Sequence, residues 1–157
     1  MPASDLPSID PHASHRAIGN LIARYAELVD DGDLVGLGVL LADAGFTGSG
    51  AAVRGREAIE RMFRDTLILY ADGTPRTQHL TTGITVEVDE RAGLAVARSN
   101  VTVLQALPDF PLRTIAAGRY RDRFERRDGR WRFAERQVRI TLLGDLSRHL
   151  RRTAAPG

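Results

Sequence analysis

The chain has 157 residues, 43% hydrophobic and 27% charged, which is enough for one domain with a sizeable core and too little for two ordinary ones. It has no Cys and all 22 of its basic residues are Arg; disulfides, thiolate metal sites, a Cys nucleophile and a Schiff-base or P-loop lysine are excluded. The net charge of +2 hides an asymmetry, since residues 119–152 hold 12 Arg and 5 acids while the rest holds 10 Arg and 15 acids.

Such a basic half fits either a surface for an anionic partner or Arg alternating with apolar residues on the solvent face of strands. No aromatic stacking platform or nucleic-acid motif accompanies the Arg residues, so no nucleic-acid partner is expected.

Residues 1–9 read as a loose arm, 10–152 as a single domain and 153–157 as a tail. Met1 to Asp10 has neither a basic n-region nor an apolar h-region. No apolar run approaches the roughly 20 residues of a membrane span. The expected address is the cytoplasm, with no membrane partner. Asp10 and Pro11 read as the N-cap and first position of a helix. Ile18, Leu21, Ile22, Tyr25 and Val29 give that helix one apolar face. It ends near Asp30–Asp33, with Gly32 as C-cap. A second, short helix is predicted over 33–43, with Leu34, Leu37, Leu40 and Leu41 inward.

The Gly-rich stretch 44–54 contains a short strand around Phe46. A third helix runs from Gly55 to about Leu69, with Ile59, Met62, Phe63 and Leu67 on one side, and Asp72-Gly73-Thr74-Pro75 breaks it. Strands follow: Ile84, Val86 and Val88 alternate with polar residues, and Leu94 to Leu104 is rich in β-formers. Pro108-Asp109-Phe110-Pro111 reads as a loop. Arg113 to Arg126 and Arg130 to Leu143 flank an Asp128-Gly129 hairpin turn. A helical tail is predicted over 145–152. Helices first and antiparallel strands after argue α+β: a curved, mostly antiparallel sheet closed on one side by helices. An apolar pocket is expected at a mouth near the Phe110 loop.

Few residues stand out for chemistry. His79 starts a strand; of the other histidines, two fall in the first helical turn and His149 in the tail, all expected in solvent. Leu80 is in phase with Ile84, Val86 and Val88, so a regular strand turns His79 to the opposite face unless Gly83 forms a bulge that resets the phase. Asp30 sits against the negative end of a helix dipole, and spacing leaves it either a solvated acid or a carboxylate retained for a task. Tyr25 is on the apolar helix face, its hydroxyl needing a partner. Arg136 cannot be told by spacing from Arg132 and Arg139. Asn100 shares a strand face with Leu94 and Val96, and if buried needs hydrogen-bond partners. No zinc helix, nucleophile elbow or dinucleotide turn occurs, and no metal or organic cofactor is called for.

The stretch Ile22-Ala23-Arg24-Tyr25-Ala26-Glu27-Leu28-Val29-Asp30-Asp31-Gly32-Asp33 resembles the opening of SnoaL-like domains in the nuclear transport factor 2-like superfamily. Gly55-Arg56-Glu57-Ala58-Ile59, Thr77-Gln78-His79-Leu80, Gly118-Arg119-Tyr120-Arg121-Asp122 and Arg127-Asp128-Gly129-Arg130-Trp131-Arg132 agree with it in order, over roughly 14–145.

The resemblance implies a cone-shaped α+β barrel whose bent sheet wraps helices and encloses a pocket. Asp30 and His79 match the Asp–His base of the branch resembling scytalone dehydratase, bile-acid dehydratase and hexachlorocyclohexane dehydrochlorinase. Arg136 and Tyr25 match pocket positions, and Asn100 lies near a second polar or His position of the scytalone dehydratase type. The function so implied is a cofactor-independent lyase of the dehydratase type, or an isomerase, acting on a small hydrophobic cyclic substrate. The alternatives are a polyketide cyclase-like enzyme and a non-catalytic accessory subunit of a ring-hydroxylating oxygenase. Phe46, Met62, Phe63, Leu67, Val103 and Phe110 are the candidate pocket lining. A homodimer or homotrimer is expected from the family.

Overall fold

The computed structural model describes residues 10–151; the expected arm over 1–9 and tail over 153–157 lie outside them. Nine elements follow one another: α1 (Ala13–Asp30), α2 (Leu34–Leu40), β1 (Gly45–Thr47), β2 (Val53–Arg54), α3 (Arg56–Thr66), β3 (Thr77–Asp89), β4 (Leu94–Leu107), β5 (Phe110–Arg127) and β6 (Arg130–Leu143). The strands form one curved sheet in the order β2-β1-β6-β5-β4-β3. Only β1 and β6 run parallel; the other neighbours are antiparallel. This is the α+β arrangement that the element order predicts, with α1 packed across β3 and β6. No described helix is long and apolar enough to cross a membrane.

The core lies between α1 and the inner face of the sheet. Ile18, Ile22, Tyr25 and Val29 recur at helical spacing on α1 and are buried against Ala97, Val101, Ile115, Tyr120, Phe124 and Phe133. The Trp131 indole N–H donates to Ser14 Oγ at 3.0 Å, which fastens the start of α1 to β6. On β5 the outward positions are Arg119, Arg121 and Arg123 and the inward ones Tyr120, Asp122 and Phe124. This part of the basic half is therefore a solvated strand face.

Two glycines decide where the candidate site residues fall. α1 ends in a Schellman motif: Gly32 N–H donates to Val29 O and Asp33 N–H to Leu28 O. Gly32 has φ +70°, and a Cβ there would sit 2.1 Å from the Gly73 carbonyl oxygen. That close approach holds the end of α1 beside the turn leading into β3. Gly83, at φ +59°, sits in a bulge where the β3–β4 register shifts between Thr82 and Thr85. Before it Thr77, His79 and Thr81 are the less exposed positions; after it Val86 and Val88 are. The bulge therefore lets one strand present its histidine and its valines to the same side.

Several local expectations are corrected. The N-cap of α1 is His12, with no side-chain cap; Asp10 instead accepts the His12 N–H at 2.8 Å, an Asx turn just before the helix. Phe110 and Pro111 belong to β5, because Pro108 and Asp109 alone make the turn and Phe110 pairs with Leu107. No helix forms over 145–151; the segment makes turns and one β-bridge from Leu150 to Leu67. Besides the turn bonds from His149 and Leu150 N–H to Leu146 O, its backbone bonds to the end of α3: Ile68 N–H to His149 O and Arg151 N–H to Thr66 O.

Candidate active site

Asp30 is the last residue of α1, and the approach of Gly32 to Gly73 brings it against the start of β3. Its Oδ1 lies 2.6 Å from His79 Nδ1 and accepts the Thr77 hydroxyl at 2.8 Å. Its Oδ2 accepts the backbone N–H of His79 at 2.7 Å. Three donors thus hold the carboxylate, offsetting the unfavourable end of the helix dipole. The side chains are 8% exposed for His79 and 19% for Asp30. A carboxylate accepts only, so Nδ1 is the donating ring nitrogen in this contact.

His79 lines a mainly apolar cavity of about 400 Å³, within the usual size of small-molecule sites. Tyr25, Phe46, Met62, Phe63, Leu67 and Val103 line it too, as do Tyr120, Val138 and Ile140. Gly48, Ser49, Gly50, Ala51, Ile140 and Leu150 are its exposed lining residues and mark its open side. The mouth is therefore not at Phe110, which is buried away from the cavity with the Arg113 guanidinium 4.2 Å over its ring.

Arg136 and Asn100 are not lining residues either. The β5–β6 register sets Arg136 opposite Asp122, and both side chains are 0% exposed. Arg136 Nε lies 3.0 Å from Asp122 Oδ1 without hydrogen-bond alignment, and Nη2 donates to Oδ2 at 3.2 Å. Its guanidinium stacks on two cavity-lining rings, 4.0 Å from the Tyr25 centroid and 3.8 Å from that of Tyr120. Arg136 thus holds the tyrosines rather than reaching the cavity. Asn100 is exposed on the outer face with Leu94 and Val96. The shared phase holds, but the inner face of β4 is Ala95, Ala97, Ser99 and Val101.

Burial pushes the Tyr25 phenol up to about 12, with Arg136 pulling against it, and pushes Tyr120 up as well. Both remain protonated donors at neutral pH. Burial also raises the Asp122 carboxyl, to about 6, again against Arg136.

Sequence reasoning missed Tyr120 and His149. Tyr120 was legible in the alternation with Arg119 and Arg121. His149 is 7% exposed and lines the cavity, its ring centroid 6.3 Å from that of His79. The expectation that it faces solvent fails because its backbone is pinned to Ile68 beyond α3, which turns the side chain inward; only the flanking Leu146 and Leu150 hinted at this. Among the described residues no group of three or more His, Cys, Asp or Glu could hold a metal ion.

Comparisons with known proteins agree on the fold. The SnoaL-like domain profile matches residues 12–137. A protein of unknown function from Mycobacterium tuberculosis is 30% identical, over 83% of this chain and 73% of its own, with a TM-score of 0.68. A hexachlorocyclohexane dehydrochlorinase from Novosphingobium barchaimii is 25% identical, over 83% and 88%, with a TM-score of 0.66. An NTF2-like protein with a cystatin-like fold from Novosphingobium aromaticivorans is 25% identical, over 80% of each chain, with a TM-score of 0.67. No curated protein sequence matches.

Proposed function

The chain belongs to the SnoaL-like domain family, and from that premise we propose that it is a cofactor-independent lyase. It removes water from a small, hydrophobic cyclic compound with a carbonyl group beside the reacting carbon. The observation that carries this reading is the 2.6 Å contact between Asp30 and His79 Nδ1 at the wall of an apolar cavity.

With Nδ1 engaged by Asp30, the second ring nitrogen of His79 is the base. It takes the proton from the carbon next to the carbonyl, and the C–H electron pair becomes the new C=C bond as the C–O bond breaks. Asp30 stabilises the imidazolium and keeps its orientation. The imidazolium then returns the proton to the departing hydroxide, and water leaves. The Tyr25 and Tyr120 hydroxyls are the donors available to the carbonyl oxygen as charge develops on it. The neighbour named a hexachlorocyclohexane dehydrochlorinase supports elimination as the reaction class, since loss of hydrogen chloride and loss of water both begin with proton abstraction. The apolar lining supports a hydrophobic substrate.

The test uses a β-hydroxytetralone, with ketone and hydroxyl on the same saturated ring, whose dehydration yields a naphthol. The wild-type protein is expected to release naphthol. His79→Ala and Asp30→Asn are each expected to lower its rate by about 10²- to 10⁴-fold with circular dichroism unchanged. Near wild-type turnover in either variant overturns the mechanism.

A further inference from the structure

The cavity wall holds a second imidazole that the Asp30–His79 base does not use. His149 is 7% exposed, and its Nδ1 is buried with no hydrogen-bond partner among the described residues. A histidine that served packing alone would have its ring nitrogens satisfied or would be replaced by an apolar residue of similar size. The backbone that carries the ring is also held in place. Ile68 N–H donates to His149 O at 2.9 Å, Arg151 N–H to Thr66 O at 2.8 Å, and Arg148 O accepts from Gln105 Nε2 at 3.0 Å and from the Tyr70 hydroxyl. The flanking Leu150 bridges to Leu67. An under-partnered polar ring on a held backbone, in the wall of an apolar cavity, is a contact prepared for a ligand.

The two rings lie 6.3 Å apart by their centroids, tilted by 59°. Rings at that spacing can hold one oxygen atom by two hydrogen bonds of about 2.9 Å when each turns a nitrogen toward it. Burial, with the neighbouring His79 acting in the same direction and Asp30 against it, lowers His149 to about 4. At neutral pH it is an uncharged imidazole, able to donate a hydrogen bond but not to supply the proton of the reaction. The two histidines thereby differ in role, one exchanging protons and the other orienting.

We infer that His149 binds the hydroxyl oxygen that leaves the substrate and holds it beside His79, so that the proton taken from carbon returns to that oxygen. The inference rests on the elimination reading and specifies its substrate class as β-hydroxy carbonyl compounds. The C–O electrons leave with the hydroxyl, His79 supplies its proton, and His149 ends the step as it began.

The test separates hydroxyl recognition from turnover. Binding of β-tetralol is compared with binding of tetralin, which has the same rings and no oxygen, by titration calorimetry on the full chain. Wild-type protein is expected to bind the alcohol about tenfold or more tightly. His149→Leu is expected to lose most of that preference, the remainder being the bond to His79, and His149→Gln to keep more of it. His149→Leu should also unfold at an unchanged or higher urea concentration, since it removes an unpartnered buried polar atom. An absent preference in the wild type, or one undiminished in His149→Leu, overturns the inference. If naphthol release survives while the preference fails, elimination stands and the role of His149 falls. If the preference behaves as expected and no protein releases naphthol, the hydroxyl site stands and the elimination reading falls.

Discussion

Two carboxylates lie under the same sheet, one beside an imidazole and one beside a guanidinium, and the two pairs are built differently. Asp30 and His79 meet at the cavity wall, partly open, with every contact of the carboxylate supplied by a donor on β3. Asp122 and Arg136 meet in the core at zero exposure, with one aligned hydrogen bond and two tyrosine faces to accommodate the guanidinium. Arg136 Nη1 has no partner among the described residues. Burial and charge alone do not mark a reactive site. The pair proposed as the base borders the cavity; the sealed pair braces the rings around it.

The comparison can be broken by taking one partner from each pair. Arg136→Met leaves the Asp122 carboxyl buried and uncompensated, with an expected loss of about 3–5 kcal/mol in urea denaturation. The double variant Asp122→Leu with Arg136→Met should recover most of that loss. Asp30→Ala removes a better solvated group, and its expected cost is below about 2 kcal/mol. If Asp30→Ala proves the more destabilising, the division into reactive and bracing pairs is wrong.

A second way to sharpen it is pH. His149 holds its proton only below about 4 when folded, against 6.5 for an ordinary histidine. Its contribution to stability is present above 6.5 and lost as pH falls toward 4, on the order of 2–3 kcal/mol. Asp122 works in the opposite sense. Its carboxyl is raised from 3.8 to about 6, so its contribution is present below about 4 and lost as pH rises through 6. Urea midpoints between pH 4 and 7 should show less acid loss in His149→Leu than in the wild type, and less loss on raising pH in Asp122→Asn. Unchanged profiles in both variants would remove these two groups from the account.

The smallest expected effect is at Gly83. Alanine there must adopt φ +59°, with its Cβ 2.9 Å from Asn100 Nδ2, a side-chain end that can move. The expected cost is about 1–2 kcal/mol by thermal unfolding. A neutral substitution would mean that the bulge does not depend on glycine.

The fold was legible because its signals are local and periodic. The helical spacing of Ile18, Ile22, Tyr25 and Val29 and the Asp128-Gly129 turn fall where sequence reasoning sets them. For the candidate site, the possible bulge at Gly83 was readable as a phase conflict between Leu80 and His79. The inward face of β4 was not, because its small residues, Ala95, Ala97 and Ser99, carry less hydrophobic signal than the exposed Leu94 and Val96. Arg136 could not be separated from Arg132 and Arg139 without the register that sets it opposite Asp122. His149 was hidden for another reason: what buries it is a backbone contact to Ile68, which no side-chain pattern records.

The segment carrying His149 is joined to the end of α3 by a handful of main-chain bonds and to β4 by the Gln105 side chain. A local detachment there, leaving the strands intact, would carry one imidazole away and widen the chamber in a single motion. Solvent entry, product escape and the loss of one polar contact would then be a single event, and the exchange rate of the Ile68 and Arg151 amides would time it.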